Sequence, residues 1–232
     1  AIGLENFNAV TGPVFVKGAE QGDALKIEVV NVQVTRAWSV WLPDFGGLGK
    51  HTKEVGVKPI LLKSERAYIS NRLSVDIKPM IGCIGVAPAE GKGSTFMPAY
   101  PYGGNMDLRE MSPGATLYLP VQVTGALLSM GDLHAAMGTA EPTWVSLEAA
   151  GSATLTINLE KNMKLKFNEA VSLGDCVYGL DDGILACLNV RTGERMWKGG
   201  RRAFRSLSAA ASRASVSPIC RKGTNRRCSA SP

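Results

Sequence analysis

Two pairs of polar residues in this sequence have the spacing of a chemical site. Asp132 and His134 are two residues apart in GDLHA, and in an extended backbone such residues share a face. A carboxylate and an imidazole would then converge. Together they could hold a metal ion through oxygen and nitrogen, or form a carboxylate-oriented general base; either arrangement activates water for attack on a carbonyl. A hydrogen-bonded structural pair at a turn is the competing explanation. Asn105 and Asp107 repeat the spacing beside Gly103 and Gly104, which would let backbone approach a ligand closely. Asn105 offers an amide donor for a developing oxyanion, and Asp107 a metal ligand or proton acceptor; an Asx turn would use the same residues. Glu90 lies in the turn APAEG. Burial there would raise its pKa and suit it to protonating a leaving group, whereas an exposed turn glutamate would do neither. His51, the other histidine, stands in the polar stretch GLGKHTKE and is expected to be solvated.

The elements that must position these residues read as short strands. Residues 14 to 34 contain two β-rich runs around a Gly-Ala-Glu-Gln-Gly-Asp turn, the pattern of a hairpin or of two neighbouring strands. Further strands are expected at 60–62, 73–77, 83–86, 115–123 and 154–159, with Gly, Pro and Asn between them. Strands this short and frequent predict a mainly β chain with a sandwich or barrel-like core. The Gly/Pro-rich stretch 87–104 is long for an idle loop and is a candidate wall of the site. After residue 161 an apolar run, a Thr-Gly turn and Trp197 make one compact unit. This expected unit, 161–200, resembles one blade segment of a quinoprotein-like β-propeller, and one blade cannot close such a fold alone.

Charge and composition narrow the function classes. The whole chain carries +6, but residues 201–232 hold seven Arg and one Lys with no acid, which leaves −2 for residues 1–200. The body is therefore not basic. That tail is rich in Ser, Ala and Arg, and with few apolar residues it predicts a disordered basic extension. Because Phe204 is its only aromatic, no nucleic-acid partner is expected. No run approaches the roughly 18 apolar residues of a membrane helix, and the N-terminus has no basic and apolar leader, so a secretory signal is absent or removed. Five scattered cysteines without a C-x-x-C pair fit a reducing, cytoplasmic setting. A chain that starts at Ala1 suggests a fragment or a processed product.

Four stretches, VTGPVFVKGAEQGDAL at 10–25, IGVAPAEG at 84–91, GGNMD at 103–107 and TLYLPVQVTGALLSMGDLHAAMG at 116–138, together resemble the acetamidase/formamidase family. The resemblance covers about residues 5–160, which makes 1–160 a partial β domain of that type, followed by the 161–200 unit and the 201–232 tail. It implies hydrolysis of small linear amides to a carboxylic acid and ammonia, with a divalent metal such as zinc or calcium at Asp107, Asp132 and His134. The partner it implies is a small amide, with no membrane, and a homo-oligomer is one assembly it allows. Where the family continues with Gly-Asp-Gly-Glu, this chain reads Gly138-Thr139-Ala140-Glu141-Pro142. Glu141 takes the glutamate position, where it could act as general base. The neighbouring Asp is missing, and the family's N-terminal β segment and C-terminal helical region are not matched. A truncated, inactive relative serving as a structural or binding module is the alternative.

Overall fold

The computed structural model describes residues 8–163, apart from 45, 48, 97–100, 139, 140, 142 and 143, and beyond them 165, 170–173, 176–181, 184–189, 192 and 194–198. Among the described residues fourteen strands carry the fold. They are β1 (Val10–Val14), β2 (Ala24–Trp41), β3 (Gly56–Lys63), β4 (Arg66–Tyr68), β5 (Ser74–Asp76), β6 (Met80–Gly85) and β7 (Gly103–Asn105). They continue as β8 (Thr116–Pro120), β9 (Leu128–Ala136), β10 (Leu147–Glu160), β11 (Ala170–Leu173), β12 (Cys176–Asp181), β13 (Ile184–Asn189) and β14 (Arg195–Lys198). All pair antiparallel, and the main path runs β14-β13-β12-β11-β8-β2-β10-β9-β6-β7. Between β2 and β3 a 3-10 turn at Gly49–His51 leaves His51 exposed, as the polar stretch predicted. No described helix is long and apolar enough to cross a membrane.

The core shows how this sheet bends. Leu25 and Ile27 of β2, Ile81 and Ile84 of β6, Leu117 and Leu119 of β8, and Leu128 of β9 form one buried cluster. In a flat sheet β6 and β8, four steps apart in strand order, would be separated by about 19 Å. Their side chains share a core because the sheet curls over itself, which gives the barrel-like arrangement predicted from the strand lengths. A smaller cluster of Ala37, Ile60, Ala67, Ala135 and Leu147 continues the packing under β3 and β4.

β2 shows how one strand can serve both clusters. Leu25, Ile27 and Val29 point inward at period two, yet the next buried residue is Val32 and then Ala37. The pairing with β10 skips Val30 between Val29↔Leu155 and Asn31↔Thr154, and skips Thr35 between Val34↔Gly151 and Arg36↔Ala150. Each skipped residue resets the alternation by one, as a bulge does. Gly151 faces the second bulge, where a Cβ would collide with Gln33 O.

Three expectations change. Residues 14–34 do not make a hairpin: β1 pairs with β9, whereas β2 lies between β10 on one edge and β8 and β3 on the other. Local alternation marks strands but carries no information about which strand they meet. The strand expected at 154–159 extends back to Leu147. In the region after 161, β11 pairs with β8, so these strands continue the main sheet. The tail 201–232 lies outside the described residues.

Candidate functional site

β9 brings the site together because it is bordered by β6 on one edge and β10 on the other. His134 stands opposite Met80 of β6 and Glu148 of β10. Asp132, two residues earlier, has φ +56, and its Oδ1 lies 3.5 Å from His134 Nε2. Glu148 Oε2 lies 3.6 Å from the same nitrogen. Asp107 enters just after β7, where the N–H groups of Met106 and Asp107 both donate to Gly82 O, at 3.0 and 3.1 Å. Gly82 has no side chain to fill the space between the acids: a Cβ there would lie 2.7 Å from Asp132 Oδ2 and 2.9 Å from Asp107 Oδ1. Glu141, in the segment from β9 to β10, joins Asp107 and His134 in one group with its ligand atoms within 4.8 Å of each other; Asp132, His134 and Glu148 form a second. Asp107, Asp132 and Glu141 all have φ between +38° and +56°, conformations uncommon for side-chain-bearing residues that concentrate at functional sites.

Four carboxylates around one imidazole form an acid-rich, poorly solvated cluster. His134 is 1% exposed. Burial alone would lower its pKa, but Asp132, Glu148 and Glu141 together hold it up at about 9. Asp107 is pushed up to about 8, first by burial and then by the Glu141 charge, with His134 acting against the rise and Asp132 adding to it. Glu148 is raised chiefly by burial, with His134 opposing. Asp107 Oδ1 and His134 Nδ1 are buried with no hydrogen-bond partner. Buried polar atoms are nearly always satisfied, so two orphans in an anionic cluster are what a bound cation would complete. The residues present can hold a divalent cation in either group.

The sequence-predicted residues fall unevenly on this geometry. Asp132 and His134 lie together, although Asp132 does so from a left-handed backbone and not from the extended one that the spacing assumed, and Asp107 and Glu141 lie beside His134. Glu90 does not meet its premise: it is exposed in the turn after β6, because the apolar residues flanking it leave the turn itself in solvent. Asn105 stands one layer back. Its Nδ2 donates to Phe96 O at 3.2 Å, and its Oδ1 accepts from Asn8 Nδ2 and from the Cys83 thiol. Cys83 Sγ is also 3.4 Å from Asp132 Oδ2 and 3.3 Å from Thr95 O, which ties the 87–104 segment to the site. Burial, followed by the Asp132 and Asp107 charges, pushes the thiol pKa up, so it is a proton donor and no nucleophile. Sequence reasoning missed Glu148. It lies upstream of the strand expected at 154–159, and only the register of β10 against β9 reveals it.

Comparison with known proteins shows similarity in both sequence and fold. Residues 81–176 match the family model described as Acetamidase/Formamidase family. An acetamidase from Bacillus halodurans is 37% identical, with a TM-score of 0.69, covering 73% of this chain and 57% of that one. A predicted acetamidase/formamidase from the thermophile Thermoanaerobacter tengcongensis is also 37% identical, with a TM-score of 0.70 over 73% of this chain and 56% of its own. A Schizosaccharomyces pombe protein provisionally named formamidase is 27% identical over 69% of this chain and 54% of its own length. The chain thus spans a little over half the length of these relatives. Residues 81–176, which contain His134 and all four carboxylates of the cluster, are the stretch that is similar to the acetamidase/formamidase family.

Proposed function

We propose that this chain provides the hydrolytic centre of an amidase acting on small linear amides, giving a carboxylic acid and ammonia. The observation that carries the reading is the cluster of buried His134 with the half-buried Asp107, Asp132, Glu141 and Glu148 and its two unpartnered atoms. A divalent cation held there would polarise an amide carbonyl and acidify water. The mixture of imidazole and carboxylate favours zinc first, with calcium, which prefers an all-oxygen shell, second.

The chain's own groups supply the remaining chemistry. Asp132 and Glu148 flank His134 Nε2 and hold the ring, and Asp132 is placed to take a proton from the attacking water. The addition forms the carbon–oxygen bond, and its collapse breaks the carbon–nitrogen bond. The leaving nitrogen must gain a proton. Asp132 returns the one it took from the water, which balances the step, while Asp107 and Glu141 would hold the cation with His134. The N–H that Asn105 does not give to Phe96 is its candidate oxyanion donor. Glu90 has no part in this scheme.

Ammonia release from formamide, acetamide and propionamide, with and without added zinc or calcium, tests the reading. Asp132→Asn and His134→Ala should each lower turnover by roughly 10²-fold or more, while Glu90→Gln leaves it unchanged. Unchanged turnover in both cluster variants would remove these roles. A chain that folds cooperatively yet releases no ammonia under any of these conditions favours a structural or binding module instead.

A further inference from the structure

Ser146 makes a connection that neither the sequence pattern nor the cluster's chemistry assigns. It sits in the short segment between Glu141 and β10. Its Oγ donates to Glu141 Oε1 at 2.6 Å, and its backbone N–H donates to Glu148 Oε1 at 3.0 Å. Glu141 belongs to the donor group with Asp107, and Glu148 to the group with Asp132, with His134 common to both. Ser146 is therefore bonded to one carboxylate of each.

The charges in the cluster give this contact its importance. Four carboxylates crowd one imidazole, and like charges this close repel one another unless something holds them in place. Beyond β9, Glu141 has a left-handed backbone, and the short Ser146 hydroxyl bond fixes the direction of its carboxylate. In Glu148 the Oε1 atom is occupied by the Ser146 N–H, while Oε2 is left facing His134 Nε2 at 3.6 Å. Such outer contacts fix which carboxylate oxygen is presented and how strongly it binds.

We propose that Ser146 is a positioning residue that holds Glu141 and Glu148 in register around His134, setting the affinity of the cluster for a divalent cation. Its consequence for turnover rests on the amidase reading; its consequence for cation binding does not.

The test is zinc affinity of the full chain by equilibrium dialysis, alongside ammonia release. S146A removes the hydroxyl but keeps the N–H bond to Glu148, and should weaken zinc binding roughly tenfold or more. S146T keeps a hydroxyl and should restore affinity, which a simple packing defect would not allow. Should S146A not fold, S146C, similar in size with only a weak donor, takes its place with the same expectation. Unchanged zinc affinity in S146A, equal weakness in S146T, or a wild-type chain that takes up no zinc overturns the proposal. If zinc affinity responds as expected but no amide is cleaved, the positioning role stands and the amidase reading fails.

Discussion

Gly82→Ala adds one methyl group at the floor of the cluster. The new Cβ would lie 2.7 Å from Asp132 O and from Asp132 Oδ2, and 2.9 Å from Asp107 Oδ1. The two carboxylate oxygens can swing away. The main-chain oxygen belongs to β9, paired with β6 on both sides of this point through Ile81↔Leu133 and Cys83↔Gly131, and moves only with the ladder. Overpacking against backbone places the cost at about 2–3 kcal/mol. Replacing glycine also restricts the unfolded chain, which offsets about 0.4–1 kcal/mol. The balance, about 1–2.6 kcal/mol, lowers Tm by about 2–10 °C for a chain of this size. Zinc affinity should fall at least tenfold, because both acids must leave their positions, a change of the size seen when ligand support is lost. Thermal unfolding by circular dichroism and zinc equilibrium dialysis read the two effects. Gly138→Ala is the control: it is exposed with nothing within 4 Å of its Cβ, and should stay within about 0.5 kcal/mol. If Gly82→Ala keeps both wild-type Tm and zinc affinity, the acids are not crowded over Gly82 and the site geometry is wrong.

Asp23 links the turn before β2 to the end of β10: it accepts from Glu20 N, Asn162 N and Lys161 Nζ, and the Lys161 bond foremost holds its pKa down at about 2. Against an unfolded value of about 3.9, a depressed acid stabilises the fold above that pH, and the contribution is lost as pH falls toward 2. Asp23→Asn should lower the urea midpoint at pH 7 but match wild type near pH 2; a deficit of equal size at both pH values would refute the charge argument. Deleting residues 165–232 removes β11 from the β8 edge, where Ala170, Val171 and Ser172 pair with Tyr118, Leu117 and Thr116. An uncovered edge promotes association, so the shortened chain should aggregate on size-exclusion chromatography while still taking up zinc; a soluble monomer that has lost zinc uptake would show that the site extends beyond β10.

The sequence by itself determined the local facts. Period-two runs marked most strands, because an extended chain points alternate residues to one side whatever surrounds it; the two-residue spacing singled out Asp132 and His134, but Asp132 reaches His134 from a left-handed backbone and not by alternation alone. Gly103 and Gly104 marked the segment that delivers Asp107. Only the tertiary structure decided which strands meet. β1 joins β9 and not β2, since pairing partners depend on how the curled sheet closes its core, and no local pattern encodes that. The same closure sets Glu148 opposite His134, fourteen residues later in the chain and beyond the reach of any spacing rule. It also left Glu90 in solvent, since apolar neighbours in sequence bury a turn only when another element packs over it. The chemistry of single residues is thus readable in the chain, but which of them share one buried volume is decided by strand register, and with it which of their charges must be balanced.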